Sequence, residues 1–127
     1  MTERCDDAHV YTILIVDDHA DFRMRTRALL EAEGFAVVGD AADGASGIQA
    51  TNDLNPDVVL LDISLPDIDG FEVTRQLRAD GRTRTIVLIS TRPVTEYGPQ
   101  VARSGAAGFI AKEDLSGSAV RAVIGGS

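Results

Sequence analysis

Five short apolar runs recur along the chain, each followed by a stretch of helical period, and this alternation restricts the fold more than any other feature. The runs are Thr12 to Val16, Ala36 to Val38, Val58 to Leu61, Thr85 to Ile89 and Gly108 to Ala111. Strands that alternate with helical stretches are the pattern of βα units on a parallel sheet. Right-handed crossovers then place helices on both faces of that sheet. The expected fold is α/β, a doubly wound five-stranded parallel sheet in the flavodoxin-like order 2-1-3-4-5.

Helix signals fill the intervals. A first helix is expected from about Ala20 to Glu33, stopped by Gly34. A second runs from Asp43, a plausible N-cap, to Leu54, where Asn55-Pro56 breaks it. Its early Gly44, Ala45 and Gly47 suggest a weak or close-packed first turn. A third follows Gly70 and turns Phe71, Val73, Thr74 and Leu77 inward. A fourth, Glu96 to Ser104, holds Gly98 and Pro99 and few apolar residues, so low local stability is expected there. The last runs from Asp114 or Leu115 to Ile124. The chain divides into a flexible segment over 1–10, one domain over 11–124 and a flexible tail, or the start of a linker, over 125–127.

The strand order matters because of what ends the strands. Asp17 and Asp18 close the first run and Asp62 closes the third, and in this order those two strands are neighbours. Parallel strands deliver their C-terminal ends to a shared crevice at the switch point. Carboxylates gathered beside apolar surface repel one another and call for a cation. Ser90 and Lys112 end the fourth and fifth runs in the same sense. Hard oxygen ligands of this kind suit Mg²⁺, which takes one or two carboxylates and keeps several waters. A remaining carboxylate can act as a nucleophile towards phosphorus, while the amine and the hydroxyl hold phosphoryl oxygens.

Composition narrows the partners. The 127 residues are 44% hydrophobic and 25% charged, the balance of a single globular domain. A net charge of -8 argues against direct binding of nucleic acid or an acidic membrane by this domain. No apolar run approaches the ~20 residues of a membrane helix, and the N-terminus does not resemble a signal peptide. Cys5 stands alone, so an intrachain disulfide is excluded and a cytoplasmic location is expected.

With these residues in place, the chain resembles a response-regulator receiver domain of two-component signalling. The matching stretches are Ile15-Val16-Asp17-Asp18-His19, Ala42-Asp43-Gly44, Leu61-Asp62 through Asp69-Gly70, Leu88-Ile89-Ser90 and Gly108-Phe109-Ile110-Ala111-Lys112. The resemblance covers about Tyr11 to Ile124 and implies Asp62 as phosphoryl acceptor. It implies Asp17, Asp18, Asp62 and the backbone carbonyl of Ser64 as Mg²⁺ ligands, Lys112 as the phosphate-binding lysine, and Ser90 and Phe109 as switch residues. The implied partners are a sensor histidine kinase or phosphotransfer protein and a downstream protein or output domain. A phosphorylation-dependent homodimer is also compatible with it. The surface around the fourth helix, fifth strand and fifth helix is the implied readout.

Some positions admit a plainer reading. Asp17 and Asp18 alone could cap a helix, and His19 beside them reads as a solvated helix-start residue rather than a ligand. Arg23, Arg25 and Arg27 point in different directions on a helix and read mostly as solvation, with kinase docking as the alternative. Phe109 by residue type alone is core. Glu113 stands where many members carry proline, Thr91 where a smaller residue is common, and Ser64 and Arg92 at positions that tune dephosphorylation. A phosphohydrolase of the haloacid-dehalogenase type would want a second Asp two residues after Asp62, where this chain has Ser64; its Asp67 and Asp69 fall in a loop. A degenerate receiver acting as a constitutive interaction module is the remaining alternative, and the intact Asp17, Asp18, Asp62, Ser90 and Lys112 set argues against it.

Overall fold

A computed structural model describes residues 10–82 and 84–126. The segment expected to be flexible, Cys5 included, lies almost wholly outside the described residues, as do Thr83 and Ser127. Five parallel strands, β1 (Thr12–Val16), β2 (Ala36–Ala41), β3 (Val58–Asp62), β4 (Thr85–Ser90) and β5 (Gly108–Ala111), form one sheet in the order β2-β1-β3-β4-β5. This is the expected topology, and it sets the ends of β1 and β3 side by side.

Period-two alternation sorts the strand residues onto two apolar faces. Ile13, Ile15, Val58, Leu60, Val87 and Ile89 pack with Leu30 and Phe22 of α1 (Ala20–Ala32) and with Val120 and Val123 of the C-terminal helix (Gly117–Gly126). Leu14, Val16, Val59, Leu61, Ile86 and Leu88 pack on the other face. That face carries Ile48 of α2 (Gly44–Leu54) and Val73 and Leu77 of α3 (Gly70–Arg78), with Val101 of α4 (Gln100–Arg103). Because β1, β3 and β4 are covered on both sides, their sequences are continuous apolar runs rather than alternating ones. The C-terminal helix is α5.

Local chemistry sets the helix ends. Asp43 Oδ1 accepts from the Ser46 N–H at 2.8 Å, and Asp69 Oδ1 from the Glu72 N–H at 2.9 Å, capping α2 and α3. Asn55, at φ 47°, ends α2 in the left-handed region just before Pro56. The small first turn of α2 proves close-packed: a Cβ on Gly47 would lie 2.8 Å from Val16 Cγ1.

Three elements differ from expectation. β2 continues three residues beyond Val38, to Ala41. Its register passes from Ile13↔Val37 to Leu14↔Gly39, leaving Val38 as a bulged, exposed residue, and this slip hides the strand's period. The fourth helix is interrupted: a 3₁₀ turn over Val94–Glu96 is followed by Gly98 at φ 59° and Pro99, and only Gln100–Arg103 are α-helical. α5 starts at Gly117, because a 3₁₀ turn takes Lys112–Asp114 and Ser116 Oγ then accepts from the Ala119 N–H at 3.0 Å. It passes over Gly125, which does not adopt the positive φ that would stop it.

Candidate functional site

The C-terminal ends of β1, β3 and β5 bring Asp17, Asp62 and Lys112 together. Asp17 is fully buried, and its backbone is held by an N–H bond to Ala41 O at 3.0 Å and by the Arg23 guanidinium on its carbonyl at 2.7 Å. Asp17 Oδ1 accepts from the His19 N–H at 2.8 Å. Asp17 Oδ2 lies 2.5 Å from Lys112 Nζ as an ion pair, but has no hydrogen bond of good geometry. Lys112 Nζ also reaches Asp62 Oδ2 at 3.4 Å and sits 4.5 Å from the centre of the Phe22 ring. One ammonium therefore bridges two buried carboxylates over an aromatic face.

Asp62 ends the fully buried β3, and its Oδ1 accepts from the Ser64 N–H at 3.1 Å. Burial is the main force on its carboxyl group and pushes it up from 3.8 to about 6. The Lys112 charge and the Ser64 N–H oppose that rise, and the Asp17 carboxylate adds a smaller one. The loop after β3 is pulled tight against this strand end. A Cβ on Gly70 would lie 2.7 Å from Asp62 O and 2.8 Å from Ile63 Cα, so only glycine fits.

Asp18 and His19 lie at the exposed rim. The His19 side chain is 68% exposed, as a solvated helix-start residue should be, yet its Nδ1 stands 3.1 Å from Asp18 Oδ1 and 3.3 Å from Asp17 Oδ1. Ligand atoms of Asp17, Asp18, His19 and Asp62 all fall within 4.8 Å of one another. Three carboxylates, one with a buried oxygen lacking a hydrogen bond, fit a small, hard divalent cation. Beside them opens a hollow of about 590 Å³, whose walls include Asp18, His19, Phe22, Arg25, Thr91 and Lys112.

Ser90 ends β4, almost fully buried, one residue beyond the Ile89 that pairs with Asp62. Its Oγ accepts from the Arg92 N–H at 3.0 Å and shares a 2.6 Å hydrogen bond with the Tyr97 hydroxyl. Phe109 is half-buried on β5, its ring centre 6.2 Å from that of Tyr97; Tyr97 in turn meets Phe71 edge-on at 5.8 Å.

The basic triplet of α1 divides. Arg23 and Arg27 face Asp40 of β2 at 3.8 and 4.0 Å, while Arg25 lines the hollow. The two loop acids that a phosphohydrolase would have to recruit serve as caps. Asp67 accepts from the Gly44 and Ala45 N–H groups at 2.7 and 2.8 Å, and those bonds hold its carboxyl below the usual range; Asp69 caps α3. Two residues near the site had no sequence signal beyond their type. By type Phe22 is one more apolar helix position, and Tyr97 lies in a stretch dominated by Gly98 and Pro99.

The model of the response regulator receiver domain matches residues 13–122. The chain belongs to this family. The nitrate/nitrite response regulator protein NarP of Escherichia coli K12 is 35% identical over 108 residues, which are 84% of this chain and 50% of NarP. Response regulator GacA of Pseudomonas aeruginosa is 36% identical over 101 residues, 79% of this chain and 47% of GacA. Among solved structures, a two-component response regulator of the LuxR family from Aurantimonas sp. SI85-9A1 superposes with a TM-score of 0.83 at 29% identity, covering 92% of this chain and 84% of that one. The chain thus spans about half the length of the curated relatives it matches. Among the described residues, no helix is long and apolar enough to cross a membrane.

Proposed function

We propose that this receiver domain accepts a phosphoryl group on Asp62 from the phosphohistidine of a sensor histidine kinase or phosphotransfer protein. One observation carries the reading: Asp62, at a buried strand end, shares with Asp17 the ammonium of Lys112, which also lines an open hollow. In the transfer, an Asp62 oxygen attacks phosphorus and the phosphorus–nitrogen bond of the donor breaks, its electron pair leaving with the imidazole. Lys112 moves its charge from the carboxylates to the phosphoryl oxygens, and the Ser90 hydroxyl donates to another of them. Phe22 keeps Lys112 aimed into the site. Asp17, Asp18, Asp62 and the Ser64 carbonyl would hold Mg²⁺, which would supply further neutralisation of the phosphoryl charge. Little side-chain proton transfer is required, so positioning and charge carry the rate.

The phosphorylated state is read out through the α4, β5 and α5 surface, with Ser90 and Phe109 as the moving residues, by an output domain or a separate partner. That surface also offers a phosphorylation-dependent homodimer. The domain works in the cytoplasm, does not itself touch nucleic acid or membrane, and loses its phosphoryl group slowly by its own catalysis.

The test is intact mass after incubation with acetyl phosphate and Mg²⁺. A single phosphoryl adduct that needs Mg²⁺, survives acid, is lost in base and is missing from Asp62→Asn supports the proposal. An adduct on Asp62→Asn overturns the assignment. No adduct from acetyl phosphate or a phosphorylated kinase, with no Mg²⁺ binding, moves the reading to a constitutive interaction module.

A further inference from the structure

We propose that Tyr97 is a positioning residue for Ser90, and that its hydroxyl competes with a phosphoryl group on Asp62 for the Ser90 side chain. The inference rests on the acceptor reading above and adds to it a residue outside the carboxylate and lysine cluster. A serine hydroxyl has one proton to donate and two lone pairs to accept with. One lone pair is taken by the Arg92 N–H at 3.0 Å. The 2.6 Å bond to Tyr97 takes either the proton or the second lone pair. If Ser90 donates, its only proton is engaged; if Tyr97 donates, two bonds fix the rotamer.

The two claims on Ser90 come from different sides. Tyr97 reaches it with its ring near Phe71 of α3 and Phe109 of β5, whereas Asp62 is reached by Lys112, whose ammonium lies over Phe22 of α1. A phosphoryl group would add strong acceptors at the end of the neighbouring strand, where Asp62 pairs with Ile89. Phe109 has no hydroxyl and cannot bond Ser90, so Tyr97 is the aromatic residue that holds the hydroxyl. Tyr97 also closes the 3₁₀ turn through its N–H to Val94 O at 3.1 Å. Both the Arg92 and the Tyr97 bonds end on the single Ser90 oxygen, so turning that oxygen towards Asp62 releases the start of the 91–99 segment.

A bond present in one state only biases the equilibrium by its own free energy and no more. Tyr97→Phe keeps the ring and removes the bond. Its apparent affinity for beryllofluoride with Mg²⁺, a non-covalent phosphoryl mimic on a carboxylate, should rise roughly twofold to tenfold. In a Ser90→Ala background, Tyr97→Phe should change that affinity by less than about twofold, since no bond remains to remove. In the unmutated chain, where Tyr11 and Tyr97 are the only tyrosines, beryllofluoride should shift the Tyr97 ring resonances. An unchanged or weakened affinity in Tyr97→Phe, an equal effect with and without Ser90, or unmoved Tyr97 resonances overturns the inference and leaves the acceptor reading standing. A wild-type chain that takes up no beryllofluoride and no phosphoryl group overturns both.

Discussion

Replacing Asp62 by asparagine should make the metal-free domain more stable, because the structure holds that carboxyl group in a place hostile to its charge. Unfolded, the group has its ordinary value of 3.8; folded, burial pushes it up to about 6. Between those values the native state keeps a proton that the unfolded chain has released. Stability therefore falls as pH rises through that window and levels off above about 6. At about 1.4 kcal/mol per pH unit, the ionised carboxylate costs the fold about 3 kcal/mol at neutral pH. Asparagine keeps an oxygen for the Ser64 N–H, and Lys112 keeps Asp17 at 2.5 Å, but the amide NH2 then stands where Asp62 Oδ2 faced the Lys112 ammonium, donor against donor. That unpaired donor trims the gain to about 2 kcal/mol.

Urea unfolding in EDTA from pH 4.5 to 8 measures this directly. At pH 7.5 the Asp62→Asn midpoint should lie roughly 1–2 M above that of the wild type, for an m-value of roughly 1–2 kcal/mol per M. The wild type should lose stability from pH 4.5 to 6.5 more steeply than the variant. A variant no more stable at pH 7.5, or one with the same pH slope, would refute the claim that burial dominates Lys112 at this site.

Three further outcomes follow from the same geometry. Mg²⁺ should raise the melting temperature of the wild type, by the equivalent of about 2.7 kcal/mol at one hundred times its Kd, and should do so far less for Asp17→Asn; calorimetric scans with and without Mg²⁺ check this. Lys112→Met should destabilise the metal-free fold by about 3–5 kcal/mol at pH 7.5, since Asp17 and Asp62 are then buried without a cation, with added Mg²⁺ restoring part of the loss in the same urea assay. Gly70→Ala should cost about 2 kcal/mol or more, because its Cβ meets backbone at 2.7 and 2.8 Å and neither contact can yield as a side chain would.

What could be read from residues alone tracks how local the signal was. β1, β3 and β4 declare themselves because a strand buried on both faces must be apolar throughout, and the polar residue that ends each one marks the site. β2 is an edge strand with a bulge at Val38, so its second half, Gly39-Asp40-Ala41, has neither alternation nor an apolar run. The interruption of the fourth helix follows from Gly98 and Pro99, yet the 3₁₀ turn before them has no distinctive composition. Tyr97 carries no local signal, because its bond is to a hydroxyl seven residues earlier that only the fold brings within 2.6 Å. Asp67 read as a loop acid, and its two bonds to the start of α2 cross 23 and 22 residues of chain.

The weak fourth helix and the charge-strained acceptor belong to one argument about where a conformational response can go. α1 has thirteen residues and buries Leu30, and α3 has nine and buries Val73, Thr74 and Leu77. Moving either would expose side chains worth roughly 2 kcal/mol each. α4 has four residues and buries none completely, too short to hold itself together without its neighbours. The Ser90 bonds to Arg92 and Tyr97 tie the strand end beside Asp62 to the segment that leads into α4. Amide hydrogen exchange should accordingly be faster over 92–104 than over α3 in the free protein. Binding of beryllofluoride with Mg²⁺ should change exchange over 90–104 while leaving the core of α3 within about twofold of its original rates. Equal protection of the two segments, or a response centred on α3, would place the mobile element elsewhere and break the link between the strand-end charges and α4.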